Sequence, residues 1–168
     1  MPFNKQYGTV IAIDPDIRKN GVCYIDKESR ACEIQNLNFP ETLEYVKGLW
    51  EKTAKPFDVI VEAGWLNHGN WHVSPGASGK YSAVAYAAAV GKGNGECAAV
   101  SKKLIECFEY YGVPVRGVKP LRKCWNGPDR KITHEELLRE MKVYRVSFPY
   151  KRTNPETRDA ALLALVNL

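Results

Sequence analysis

Gly8-Thr-Val-Ile-Ala-Ile-Asp14 is the stretch on which the reading of this chain turns: a continuous run of β-branched and small apolar residues that ends on a carboxylate. Such a run, closed by Pro15-Asp16, is the pattern of a strand covered on both faces that delivers Asp14 to the edge of a sheet. An ionised group at the end of a buried strand has to be solvated, paired or bound to a cation. Beyond it, a short polar stretch reaches Asn20-Gly21 and a second apolar run, Val22-Cys-Tyr-Ile25. The punctuation predicts an antiparallel hairpin, with Asn20-Gly21 helping the chain re-enter the sheet.

Further along, Ala31–Phe39 alternates roughly between apolar and polar and supplies a third strand before any helix. Pro40 then opens an amphipathic helix through Lys52, with Leu43, Val46, Leu49 and Trp50 at helical spacing. Asp58-Val-Ile-Val-Glu62 repeats the logic of the first strand, an apolar run ending on an acid. Residues 63–80 are rich in turn formers but carry Trp65, His68, Trp71 and His72, the composition of a functional loop. Tyr81–Tyr111 reads as mostly helical. Its central Ala87-Ala-Ala-Val-Gly-Lys-Gly-Asn-Gly95 implies either a break or close packing, since each glycine costs about 1 kcal/mol in a helix.

Gly112 stops that helix and Val113–Val118 reads as a strand. A basic connection from Lys119 to Lys131 leads to Thr133, which with Glu136 forms a capping box for the helix His134–Lys142. Tyr144–Arg152 is basic and aromatic, without a clear element. Asn154 caps a last helix that begins at Pro155 and carries Glu156 and Asp159 at i and i+3.

With 168 residues, the chain fits one domain, residues 1–168, with 45% hydrophobic and 26% charged residues and no apolar run long enough to span a bilayer. The start has no apolar signal core, and five cysteines without a CxxC pair argue against a zinc site or disulfide frame. The expectation is a cytoplasmic protein that is not associated with a membrane. The formal charge is +5, and the cations cluster in the last third, from Arg116 to Arg158, with Tyr144, Phe148 and Tyr150 among them. That pattern fits a nucleic-acid face, and it fits a solvated basic surface equally well.

Glu156 and Asp159 taken alone are ordinary helix-start acids. Asp14 and Glu62, each at the end of an apolar strand, change the reading. Carboxylates converging from two strands and a helix repel one another unless cations lie between them, and hard oxygen donors suit Mg²⁺ or Mn²⁺.

Ile11-Ala-Ile-Asp14-Pro, Val59-Ile-Val-Glu62, Gly95-Glu-Cys-Ala-Ala-Val, Val113-Pro-Val and Asn154-Pro-Glu156-Thr-Arg-Asp159-Ala-Ala-Leu occur in an order and spacing that resemble the RuvC-like branch of the RNase H-like superfamily. The resemblance implies an α/β fold with a mixed five-stranded sheet in the order 3-2-1-4-5, strand 2 antiparallel, flanked by helices. It implies a Holliday junction resolvase-like endonuclease acting on branched DNA, with two Mg²⁺ ions (or Mn²⁺) held by Asp14, Glu62, Glu156 and Asp159, and a homodimer. Lys131 matches the position of the family's catalytic lysine, and Lys119 that of a basic residue after a strand. Trp65 and Trp71 are candidates to stack on exposed bases, with Arg122 and Lys123 beside Lys119 and Lys131 as phosphate contacts. The chain departs from the family pattern in Asp16, where Gly is usual, in Glu156, where Asp is usual, and in its longer, Trp-rich loop after Glu62. Two other readings are a catalytically silent nucleic-acid-binding module and a fragment of an actin-like ATPase, the second disfavoured by the chain's length.

Overall fold

A computed structural model describes residues 8–53, 56–67 and 83–168. Five strands, β1 (Thr9–Asp14), β2 (Asn20–Asp26), β3 (Cys32–Leu37), β4 (Phe57–Glu62) and β5 (Val115–Val118), form one sheet in the order β3-β2-β1-β4-β5. β1 pairs antiparallel with β2 and parallel with β4; β2 and β3 are antiparallel, β4 and β5 parallel. Among the described residues, four α-helices accompany the sheet: α1 (Phe39–Lys52), α2 (Ala83–Tyr110), α3 (His134–Val143) and α4 (Pro155–Val166).

The alternation of side chains along a strand divides the apolar residues of β1 between two cores. Ile11 and Ile13 join Val22, Val59, Val61 and Phe57 under α1 and α2, where Val46, Leu104 and Phe108 meet them. Val10 and Ala12 point the other way, with Cys23 and Ile60, toward α3 and α4. The second face carries the smaller side chains, and the helix lying on it is rich in alanine, with Ala160, Ala161 and Ala164 all buried. Small residues on both surfaces let α4 approach the sheet closely. Its outer side is covered by Ile132, Leu137, Met141 and Val146, so Ala160–Leu165 are buried all round.

Helix starts follow the sequence signals. Asn38 caps α1 in a box with Glu41, Thr133 caps α3 with Glu136, and Asn154 caps α4 with Thr157, with Pro155 in its first turn.

The β1–β2 hairpin forms as expected, and Asn20-Gly21 brings the chain back into the sheet as the start of β2: Asn20 is fully buried, and its Nδ2 donates to Thr42 Oγ1 on α1 at 2.9 Å. Other expectations are corrected. The glycine-rich stretch breaks no helix, because α2 runs unbroken for 28 residues. Among the described residues, a Cβ at Gly91, Gly93 or Gly95 would meet nothing within 4 Å. Phe148 and Tyr150 lie on their own domain. The Phe148 ring packs against the α4-side core, the Tyr150 hydroxyl accepts the Ile34 N–H at 3.1 Å, and the two rings sit 5.0 Å apart. Some of the clustered cations are also used internally. Arg116 forks onto the Asp58 carboxylate (2.8 Å) and Arg158 bonds backbone carbonyls.

Candidate active site

The register of the sheet brings the first two acids together. Ile13 lies opposite Val61 across the parallel β1–β4 pair, so the next residues, Asp14 and Glu62, leave the same sheet edge side by side. The helix pair arrives through a glycine. Gly21 faces Asp14 across β1–β2, and a Cβ on Gly21 would lie only 2.1 Å from the Glu156 carbonyl oxygen. The first turn of α4 therefore rests directly on the strand pair that carries Asp14. One turn further along α4, Asp159 Oδ2 pairs with Lys131 Nζ at 2.8 Å. All five side chains are half-buried at this edge.

Lys131 is held by the connection between β5 and α3. Gly127 N–H donates to the Lys131 carbonyl at 2.9 Å, and Asp129 and Arg130 between them both adopt left-handed backbone, with φ of 54° and 59°. Two consecutive non-glycine residues in that region are strained, and such strain persists where the surroundings fix it. Here they do. Buried Glu136 accepts hydrogen bonds from the Asn126 side chain (2.6 Å), Thr133 N–H (3.0 Å) and Thr133 Oγ1 (2.9 Å). On the other side, Arg158 Nε donates to the Ile132 carbonyl at 2.8 Å, tying the residue after Lys131 to the residue before Asp159. Glu136 thus does more than cap α3, and Arg158 does more than add charge.

A Cβ at Gly127 would fall 2.5 Å from the Lys131 carbonyl oxygen. Gly127→Ala is therefore expected to leave the sheet and helices intact in far-UV circular dichroism while shifting Lys131 away from Asp159. Titration of the Lys131 ammonium, followed by NMR, will report the lost pair as a downward move in its pKa relative to wild type, because the bond to Asp159 is what raises it against burial. An unchanged titration would mean that the loop absorbs the methyl group elsewhere.

Electrostatics at the site are dominated by desolvation and like charge. Burial, then repulsion from Glu62 and Asp159, pushes the Asp14 carboxyl well above the usual range; Lys131 works against this and Glu156 adds to it. Burial and Asp159 together push Glu62 up to about 7, with Lys123 and Lys131 pulling it back. Burial opposes the charge on Lys131, but its hydrogen bond to Asp159, followed by attraction to Asp159, Asp14 and Glu156, leaves its pKa raised.

Among the described residues, no three His, Cys, Asp or Glu side chains stand closed around a ligating position. The chemistry of the donors nevertheless fits a divalent cation: they are hard oxygens, and burial with mutual repulsion penalises the charged forms of Asp14 and Glu62, a penalty that such an ion offsets. A consequence for stability follows from Glu62. Its folded pKa of about 7 lies above the ordinary 4.5, so the folded chain holds a proton that the unfolded chain has released. Stability from this group is complete below about 4.5 and is lost as pH rises through about 7. In chelator, the thermal midpoint of wild type relative to Glu62→Gln should fall across that window, and Mg²⁺ or Mn²⁺ at pH 8 should raise wild type more than the variant. Parallel curves for the two proteins would contradict the shift.

The remaining candidates are distributed unevenly. Lys123 is half-buried and near enough to lower the Glu62 pKa, whereas Lys119 and Arg122 are exposed on the same connection. Trp65, in a short 3₁₀ turn at Gly64–Leu66, is engaged within the chain: its ring lies 3.8 Å from where a Gly117 Cβ would be, and Lys102 Nζ sits 5.3 Å from its centroid. Trp71, His68 and His72 lie outside the described residues. Sequence reading missed Gly21, Gly127 and Arg158 as parts of the site. Gly21 offered a signal, a glycine at the head of an apolar run, which marks close backbone approach as readily as a turn.

A β3-β2-β1-β4-β5 sheet with β2 antiparallel to its neighbours, acids at the ends of β1 and β4, and a helix laid across them defines the RNase H-like class of α/β folds. RuvC from Thermus thermophilus in complex with Holliday junction substrate is similar to this chain, with a TM-score of 0.52 at 16% identity, over 94% of this chain and 90% of that one. A second Thermus thermophilus RuvC structure gives a TM-score of 0.48 at 16% identity, over 94% and 91%. No protein-family model and no curated protein matches the sequence. The chain has the RuvC fold, in the strand order that its motifs imply.

Proposed function

We propose that this protein is a divalent-metal-dependent endonuclease that cleaves phosphodiester bonds in branched DNA, Holliday junctions first among them. The observation that carries the reading is the gathering of Asp14, Glu62, Glu156 and Asp159 from β1, β4 and α4 at one sheet edge, each sensed by the Asp14 carboxyl. The RuvC fold supports it, because a protein of that fold has been solved with a Holliday junction. A catalytically silent DNA-binding module would share the fold but would have no use for four mutually repelling carboxylates. The chain is read as one nuclease domain working as a cytoplasmic homodimer. No described helix is long and apolar enough to cross a membrane.

Asp14, Glu62, Glu156 and Asp159 would hold two Mg²⁺ ions, which when bound supply Lewis-acid polarisation of the phosphodiester and lower the pKa of water. The chain's own contributions are distinct. Glu62 orients the attacking water, since its carboxylate stands at the rim of the sheet beside Asp14. Lys131, fixed by the strained loop and by Arg158, places an ammonium where negative charge builds on the scissile phosphate. Lys119, Arg122 and Lys123, on the connection leading to Lys131, neutralise neighbouring phosphates.

The test is nicking of a labelled four-way junction in Mg²⁺, in parallel with a linear duplex of the same sequence. The expected result is junction cleavage abolished by chelator, slow duplex cleavage, and metal-free junction binding that weakens steeply with salt. A protein that binds neither DNA, or cuts neither in Mg²⁺ or Mn²⁺, is not this enzyme.

A further inference from the structure

The turn between β1 and β2 presents a side chain that the acid site does not use. The Asp16 carboxylate accepts the Arg18 N–H at 2.8 Å and the Lys19 N–H at 3.4 Å, and Asp16 N–H donates to Asn20 Oδ1 at 3.0 Å. Asn20 in turn is anchored to Thr42 on α1, and the Ile17 backbone lies close enough to Cys97 on α2 to lower the pKa of its thiol. The turn is therefore fastened to itself and to α1, and it lies beside α2. A backbone held this firmly fixes where its side chains point, yet Ile17, its large apolar residue, is 57% exposed. Arg18 and Lys19, the next two residues, are exposed as well.

Single exposed apolar residues are common and need no explanation by themselves. Ile17 differs in its setting. It stands three positions from Asp14 in the chain, on a rigid support, with two cations directly following. Proteins that deform DNA use this combination, an apolar wedge between base steps with Lys or Arg on the adjoining phosphates. Inserting a wedge into continuous duplex requires unstacking, whereas at a branch point the stack is already interrupted. A wedge beside the acids would thus select branched over linear DNA and set the distance from branch to cut.

We infer that Ile17 is a branch-point wedge, inserted where base stacking is interrupted, with Arg18 and Lys19 holding the flanking phosphates. The inference rests on the nuclease reading above and adds the residue that recognises the branch.

The experiment uses the full chain in chelator, so that binding is read without cleavage. Four-way junctions carrying 2-aminopurine at the branch nucleotides, and linear duplexes carrying it at the same sequence position, are titrated with wild type, Ile17→Ser and Ile17→Leu. Thermal midpoints of the three should agree, since the side chain is in solvent. Wild type and Ile17→Leu should raise 2-aminopurine fluorescence at the branch. Ile17→Ser should lose that rise, and about tenfold of the junction-over-duplex preference, with duplex affinity unchanged; tenfold is 1.4 kcal/mol. Equal fluorescence and equal preference in wild type and Ile17→Ser overturns the wedge and leaves the nuclease reading standing. Wild type that fails to bind the junction at all overturns both.

Discussion

Asp14→Asn is expected to lower junction cleavage by roughly 10³-fold, the upper end of what removing one electrostatic contributor costs, while leaving metal-free junction binding within error of wild type. The substitution removes a charge with almost no change in shape, at the one residue that senses all three other acids and Lys131. It carries a second, opposite signature. Burial and repulsion raise the Asp14 pKa, so the ionised form is disfavoured in the folded chain, and a neutral amide relieves that penalty. In chelator the variant should melt above wild type at pH 8. The gain should shrink as pH falls and Asp14 becomes protonated in wild type too. Loss of cleavage together with gain of metal-free stability is hard to produce by damage to the fold. A variant that melts lower at every pH would show that Asp14 is a structural residue.

The second large effect is expected at Gly21. Its missing side chain is the space that the Glu156 carbonyl occupies, and the nearest atoms to an added methyl are all backbone, Glu156 O at 2.1 Å, Glu156 C at 2.3 Å and Thr157 N at 2.9 Å. Backbone at the start of a capped helix cannot rotate away as a side chain can. Gly21→Ala should therefore cost about 3 kcal/mol, the high end for overpacking, which for a chain of this size lowers the thermal midpoint by roughly 6–12 °C. Because relief requires the first turn of α4 to lift from the sheet, Glu156 and Asp159 should withdraw from Asp14 and Glu62. Cleavage should then fall more than the lost stability explains at a temperature where the variant is still folded. A midpoint within about 2 °C of wild type, by the same relation, would mean that α4 is set by something other than Gly21.

Much of this was legible in the sequence because strands covered on both faces leave a plain trace. The runs before Asp14 and Glu62 have no polar residue to spare, and an acid at the end of each was visible without coordinates. The capping box at Thr133 was equally plain, since it needs only two residues at fixed spacing, and so was the cap at Asn154 before Pro155. What escaped was long-range approach. Gly21 has the same appearance whether it bends the chain or admits α4, and only the packing of a helix from the far end of the sequence decides which. The connection that places Lys131 depends on two left-handed residues, Asp129 and Arg130, that carry no glycine signal. The aromatic residues Phe148 and Tyr150 looked available for nucleic acid because nothing local showed that β3 needs their cover. The family motifs raised the expectation that Glu156 and Asp159 share a site with Asp14, and the structure brings both near enough to act on the Asp14 carboxyl.

Whether acids from β1, β4 and α4 form one divalent-cation site is decided by anomalous diffraction from a crystal of the wild-type protein soaked in Mn²⁺. Anomalous density is expected at the sheet edge, within coordination distance of Asp14, Glu62 and the Glu156–Asp159 pair, with Lys131 displaced from Asp159 or the Asp159 carboxylate shared between Lys131 and the bound ion. Density only elsewhere on the surface, or none at millimolar Mn²⁺ with the four carboxylates ordered and ionised, would contradict a shared site.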